Sequence, residues 1–537
     1  MSISSNKKTI SQWTGGILAV GVLGLCAVMY GTGHPAKPDA SCPAVDRLPT
    51  IRPDYANIVL PPNIAPLNFV VEEEAENCFV RLHADQGEPV EVFGADRRIS
   101  IPPGPWRRLL AANQGGTLNV DVFVRTRASG ETAGQTDQWK QFQTIVNTIA
   151  AEPIDDYLVY RRIHPGHATW RKVGVYQRDL RSFHEKTILD SDQFREGCVN
   201  CHAFCNHRTD KMLLGIRSAQ YGSSAILVNG SSAQQIGTKF GYTAWHPSGK
   251  LAAFSVNKVQ QIFHAGTNEV RDVFDSDSLM AYYRTDTQAV ETSPVLSKKD
   301  RLETYPTWSP DGKYLYFCSA PLTWDDKNAL PKDYDQIRYD LVRVAYDEAT
   351  DSWGEAETLV AAQETAKSAL LPRISPDGRW LLLSMCDYGC FPVYRDSSDL
   401  YVIDLEAAQA TGQYEARRLE INSDASESWH SFSSNGRWIV FSSKRLSHVF
   451  TRTYLAYMDE EGRVHKPILL PQEDPTHYDA CLWTFSVPEL VTEPVRVSQR
   501  ALAKAVRDAG AGSVRMPVTM ATPRADGRPA YAEPLRE

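Results

Sequence analysis

The 537-residue chain has no surplus of positive charge: 57 Lys and Arg stand against 65 Asp and Glu, a formal net charge of −8. No block of basic residues interrupts this balance, so the electrostatic footprint of a nucleic-acid-binding protein is missing. Gly (33) and Pro (32) are near average usage, which removes collagen-like and low-complexity readings. The sequence contains no Gly-x-Ser-x-Gly, no His-Glu-x-x-His and no phosphate-binding loop, so three common catalytic signatures are absent. A mean hydropathy of −0.36 excludes a polytopic membrane protein. Only one long apolar run occurs.

That run lies at the N-terminus. Thr9 to Ala36 carry no Lys, Arg, Asp or Glu, and Gly15 to Tyr30 is almost continuously apolar, with Lys7 and Lys8 just before it. Positive charge followed by an apolar stretch is an export signal. Residues 1–36 are expected to be an uncleaved signal-anchor with the lysines inside, or alternatively a cleaved signal peptide. The protein then sits on the periplasmic side of the cytoplasmic membrane or free in the periplasm. Ten cysteines suit an oxidising compartment, although the connectivity of Cys42, Cys78, Cys205, Cys318, Cys386, Cys390 and Cys481 is not readable from sequence.

Residues 37–66 read as a Pro-rich linker, and 67–130 as a small β-sandwich of period-two segments such as Cys78-Phe-Val-Arg-Leu and Leu118-Asn-Val-Asp-Val-Phe-Val. A repeat follows. Tyr242-Thr-Ala-Trp-His-Pro-Ser-Gly249 recurs as Tyr305-Pro-Thr-Trp-Ser-Pro-Asp-Gly312, as Leu371-Pro-Arg-Ile-Ser-Pro-Asp-Gly378 and as Trp429-His-Ser-Phe-Ser-Ser-Asn-Gly436. The copies lie about 60 residues apart, room for one four-stranded propeller blade each. In the first three Pro presets φ, and in all four Gly takes a positive φ and a basic residue opens the returning strand. These motifs resemble the blades of TolB-like β-propellers, which implies a mainly β protein with about six blades over 216–494. Residues 150–215 hold the first blade strands, and 495–537 form a flexible tail containing one short helix.

Cys198-Val-Asn-Cys201-His202 is C-x-x-C-H, the attachment sequence for c-type haem. Two thiols add to the haem vinyl groups and the adjacent imidazole ligates iron, a geometry expected from a short helical turn. Three other readings compete: a thioredoxin-like redox pair, a zinc site recruiting Cys205 with His202 or His207, and a plain disulfide. The histidines His164, His167, His184, His202 and His207 cluster around the motif. Met212, ten residues past His202, is the leading candidate for a sixth iron ligand, with His207, His164 and His167 as alternatives.

The stretch Tyr160-Arg-Arg-Ile-His-Pro-Gly-His-Ala-Thr-Trp170, the haem motif, Lys211-Met212, Cys386-Asp-Tyr-Gly-Cys-Phe-Pro392 and the ending Ser486-Val-Pro-Glu-Leu-Val-Thr-Glu-Pro494 are similar to a family of exported TolB-like propellers with a single C-x-x-C-H. Gly215 stands where that pattern suggests His in Met-x-x-His. The resemblance implies one covalent haem c, electron transfer and a redox partner in the cell envelope. A haem-dependent, peroxidase-like oxidoreductase and a non-redox binding scaffold are the competing functions. No residue is assigned a catalytic role.

Overall fold

A computed structural model describes residues 36–508, apart from 40–41, 95, 127–137, 165–171, 195–196, 238 and 266–270. The apolar segment read as a signal-anchor lies outside the described residues, as does His167. Among the described residues no helix is long and apolar enough to cross a membrane.

Six four-stranded antiparallel sheets follow one another along the chain. The first blade runs from Gly197–Cys205 to Ser232–Ile236, and the second from Thr243–Trp245 to Ala289–Glu291. The third spans Arg301–Trp308 to Ser352–Val360, the fourth Ser368–Ile374 to Arg417–Arg418, and the fifth Glu427–Phe432 to Ile468–Leu469. The sixth is composite. Its three outer strands, Tyr157–Ile163, Val173–Asp179 and Glu185–Asp190, precede the others, and its innermost strand, Thr484–Val491, comes last. Val159 pairs with Glu489 and Leu158 with Leu490, so the end of the ring is hydrogen-bonded to its beginning. Closure of this kind ties the two ends of the ring together in one sheet, leaving each blade only its short outer edge.

The repeated turns behave as their residue types dictate. Gly312 and Gly378 take φ of +73° and +80°, open to glycine and costly for other residues. Ser309 Oγ donates to Asp311 Oδ1 at 2.6 Å and accepts from the Tyr314 amide at 3.0 Å, while Asp311 accepts from the Lys313 amide. Ser433, Asn435 and Trp438 repeat the pattern in the fifth blade. The first blade lacks it and turns instead on Asn206 and His207, both at positive φ, a two-residue hairpin.

N-terminal to the propeller, two sheets and a helix share one core. The larger is a seven-stranded sheet from Ala44–Val45 to Ile145–Ile149, and the smaller pairs Ile51–Arg52, Phe69–Val71 and Arg98–Ile99. The helix Pro103–Ala112 buries Trp106, Leu109 and Leu110 between them. The linker expected over 37–66 is not a free spacer. Three short strands lie within it, and Ile51, Tyr55, Ile58 and Leu60 are buried, because its apolar residues satisfy both the core and the sheet edges. The layer also extends past the 67–130 boundary on both sides.

This unit is docked on the propeller. Tyr55 Oη donates to the Leu469 carbonyl at 3.1 Å, and the Ala65 amide to the Leu180 carbonyl at 2.7 Å. At the other end the tail begins with the helix Gln499–Arg507, capped by Ser498, with Leu502 and Val506 fully buried against the sixth and first blades.

Ring closure should dominate stability. Leu490→Ala, at a fully buried site on the closing strand, should cost about 2–5 kcal/mol in urea unfolding. Val449→Ala, at an exposed site, should change stability by no more than about 0.5 kcal/mol. Equal effects would show that closure through Thr484–Val491 is not the anchor.

Candidate functional site in the propeller channel

The C-x-x-C-H motif is not a helical turn. It lies in Gly197–Cys205, the innermost strand of the first blade, paired along its length with Arg208–Ser218. That pairing satisfies backbone groups that a helical turn would satisfy internally.

The strand carries a β-bulge. Val199 pairs with Ile216 and His202 with Leu214, leaving an extra residue on the inner side. The same irregularity falls between Thr304 and Thr307, Leu370 and Arg373, Ser428 and Ser431, and Ser486 and Glu489. At the first bulged position Tyr305, Leu371, Trp429 and Val487 all have φ near +50°, a conformation costing of order 1–3 kcal/mol for a non-glycine residue. Bulges re-aim side chains. Here they set two levels in the channel.

One level is aromatic. Tyr242 lies 4.2 Å from Tyr305 and 5.7 Å from Trp429, centroid to centroid, and Tyr305 Oη donates to the Cys390 carbonyl. His202, Thr307, Arg373, Ser431 and Glu489 occupy equivalent positions just past the bulge on five innermost strands, and of these His202 and Arg373 line the channel cavity. A cavity of about 30 Å³ lies among Cys201, His202, Thr243, Arg373, Trp429 and their neighbours, room for a water molecule or two.

His202 is the most unusual group there. Its side chain is wholly buried, and neither ring nitrogen has a hydrogen-bond partner among the described residues. Glu489 Oε2, also buried and without a partner, lies 4.0 Å from His202 Nε2. Burial, followed by the charges of Arg161 and Arg373, pushes the His202 imidazolium pKa down to about 3. Burial pushes the Glu489 carboxyl up to about 7 against the opposing pull of Arg373. The imidazole is therefore neutral, and the carboxyl beside it holds its proton to a much higher pH than an ordinary glutamic acid.

The other predicted residues are dispersed. Cys198 is partly exposed and Cys201 buried. Met212 pairs with Phe204, one cross-strand step from His202 and Leu214 on the same sheet face, in an apolar layer with Val199 and Leu214. His207 forms the hairpin turn, its Nδ1 3.0 Å from the Leu490 carbonyl. His164 is exposed and meets the Trp483 ring edge-on. Cys205 faces the second blade, its thiol donating to the His246 carbonyl. The zinc set is thus not assembled, and no described group of three His, Cys, Asp or Glu is arranged to hold a metal. Cys42, Cys78, Cys198, Cys205, Cys318, Cys386, Cys390 and Cys481 form no disulfide among the described residues.

Sequence reasoning missed Arg373, Glu489 and the aromatic level. The signal was present: Arg373 and Thr307 hold the same phase of the blade repeat, and Arg373 is the one charged residue at that phase in the four copies.

No protein-family model matches the chain, and no curated protein does. Solved structures similar to it include TolB from Acinetobacter baumannii, 16% identical, covering 70% of this chain and 79% of that one with a TM-score of 0.40. Another is an oligogalacturonate lyase from Vibrio parahaemolyticus, 15% identical, covering 55% and 76% with a TM-score of 0.32. The fold assignment rests on the six sheets themselves: a small N-terminal two-sheet unit followed by a six-bladed β-propeller with TolB-like turns.

Glu489 gives a pH test. Its folded pKa is raised above the ordinary carboxylate value of 4.5, so between about pH 4.5 and 7 the unfolded chain loses a proton that the folded chain keeps. Its contribution is intact below pH 4.5 and falls as pH rises towards 7. Glu489→Gln should reduce the decline in melting temperature measured across pH 5–7.5. An unchanged slope would mean that Glu489 is ionised in the fold.

Proposed function

We propose that the chain is an envelope-located c-type cytochrome: a propeller carrying one haem bound covalently through Cys198 and Cys201, with His202 as axial ligand and electron transfer as its work. The observation that carries this reading is His202, a buried neutral imidazole beside the motif's thiols whose nitrogens meet no well-formed hydrogen bond, with only the Val159 and Val487 backbone in weak polar contact. A buried polar group without a partner costs about 1–3 kcal/mol, and coordination to iron removes that cost. Cys198 and Cys201 would hold the haem by thioether bonds to its vinyl groups, and His202 would bind its iron. When bound, haem supplies reversible one-electron transfer at a potential set by its axial ligands.

The chain's own residues would do the rest. His202 needs no deprotonation to ligate, since burial already keeps it neutral. Tyr242, Tyr305 and Trp429 exclude water on one side. Met212, on the same sheet face as His202, would be the candidate for a second protein ligand to the iron. The channel cavity, about 30 Å³, is an order of magnitude below the ~300–1,000 Å³ of cofactor pockets. Loading would therefore precede closure of the ring, or displace channel side chains. The partner is a redox protein of the periplasm or membrane surface, docking transiently near Cys198.

The same small cavity favours one second reading, a binding propeller in which Cys198 and Cys201 are ordinary strand residues. Intact-mass measurement of protein matured in a host that attaches haem c decides between them. One added haem is expected, lost in Cys198→Ser/Cys201→Ser. An unmodified mass with no haem absorption band would overturn the cytochrome reading.

A further inference from the structure

Arg373 has no counter-ion. It lines the channel cavity from the fourth blade, and among the described residues it makes no ion pair or hydrogen bond. Several other arginines of the propeller are paired: Arg445 with Glu427 at 2.9 Å, Arg301 with Asp340 at 2.8 Å, and Arg161 Nε donates to Ser486 Oγ at 3.1 Å. A guanidinium carries five donors and no acceptor; Arg373 is partly exposed, so water can solvate it, and an anion of the right shape would replace that water.

The surroundings do not supply that anion. Glu489 Oε1 accepts from the Phe204 amide at 3.3 Å, and its Oε2 turns towards His202. The guanidinium's field reaches His202, His430 and Glu489 together, which locates its charge among them. Thr243 adds a hydroxyl to the wall, and Trp429 with Tyr305 forms an apolar boundary. Arg373 therefore lines a space of about 30 Å³, the room of about two waters, which one three-atom anion would fill.

We propose that this cavity is a binding site for a small planar oxyanion of the size of formate or nitrite, held by the guanidinium of Arg373. Planar, bidentate anions match the guanidinium fork, and a lysine ammonium would not reproduce it. The cavity volume sets an upper limit on size, so larger carboxylates are excluded by the aromatic level. The site requires no haem. It also gives the channel a function that the cytochrome reading leaves open, since an anion held there is beside His202.

Calorimetric titration of the full chain with sodium formate tests this, with benzoate as the oversized anion and chloride as the spherical control. Formate should give a saturable one-to-one isotherm, and benzoate should bind at least tenfold more weakly. Arg373→Gln should lower formate affinity tenfold or more, and Arg373→Lys should restore little of it. Both variants should retain cooperative thermal unfolding, because Arg373 supports no other side chain; formate should raise the melting temperature of the wild type alone. The same titration on Cys198→Ala/Cys201→Ala protein separates this site from haem. Undiminished binding there supports the channel site whatever the fate of the cytochrome reading. Absence of binding in the wild type, equal affinity in Arg373→Gln, or loss of binding in the double cysteine variant would overturn the proposal, the last by placing the anion on iron.

Discussion

One extra residue in five of the six innermost strands governs the middle of this molecule. Without the bulges, side chains of neighbouring strands would alternate regularly between blade interfaces, and no ring of polar groups would face the axis. The bulges turn Tyr305, Leu371, Trp429 and Val487 into positive φ and hold the next positions, Thr307, Arg373, Ser431 and Glu489, in register around the channel. Such a conformation is strained for every one of those residues. It persists because the ring is closed by Thr484–Val491 and buttressed by the N-terminal unit.

That constraint gives the C-x-x-C-H motif a setting unlike a helical turn. His202 holds the phase of Arg373 and Glu489, so it is carried to the channel by the fold. Desolvation then acts in opposite senses on two adjacent groups, favouring neutral imidazole and neutral carboxyl. Two neutral groups with unused lone pairs and protons, beside an arginine with no counter-ion, form a site with unmet bonding capacity. Groups left unsatisfied in a buried site point to a ligand more strongly than to packing.

The blades were legible because their turns are chemically explicit: Ser-Pro-Asp-Gly leaves one backbone solution, and the structure adopts it at Ser309 and Ser375 alike. The sixth blade was harder to see, since its strands come from opposite ends of the chain. Prolines made residues 37–66 resemble a spacer, although Ile51, Tyr55, Ile58 and Leu60 already offered apolar anchors. The helix Pro103–Ala112 was hidden among β-periodic neighbours. The motif was obvious as chemistry and misleading as local structure, because cross-strand pairing with Arg208–Ser218 overrode the turn that its spacing suggests. Arg373 and Glu489 become visible only when the first and last innermost strands are aligned to the same phase as the four clear repeats.

In the proposed cytochrome, His202 would be the group that the channel presents to iron. His202→Gly, matured in a host that attaches haem c, tests this most directly, with optical and electron paramagnetic resonance spectra recorded before and after adding imidazole. Loss of the wild-type spectrum followed by its recovery with imidazole is the predicted result. A wild-type spectrum in His202→Gly before any imidazole is added would contradict it.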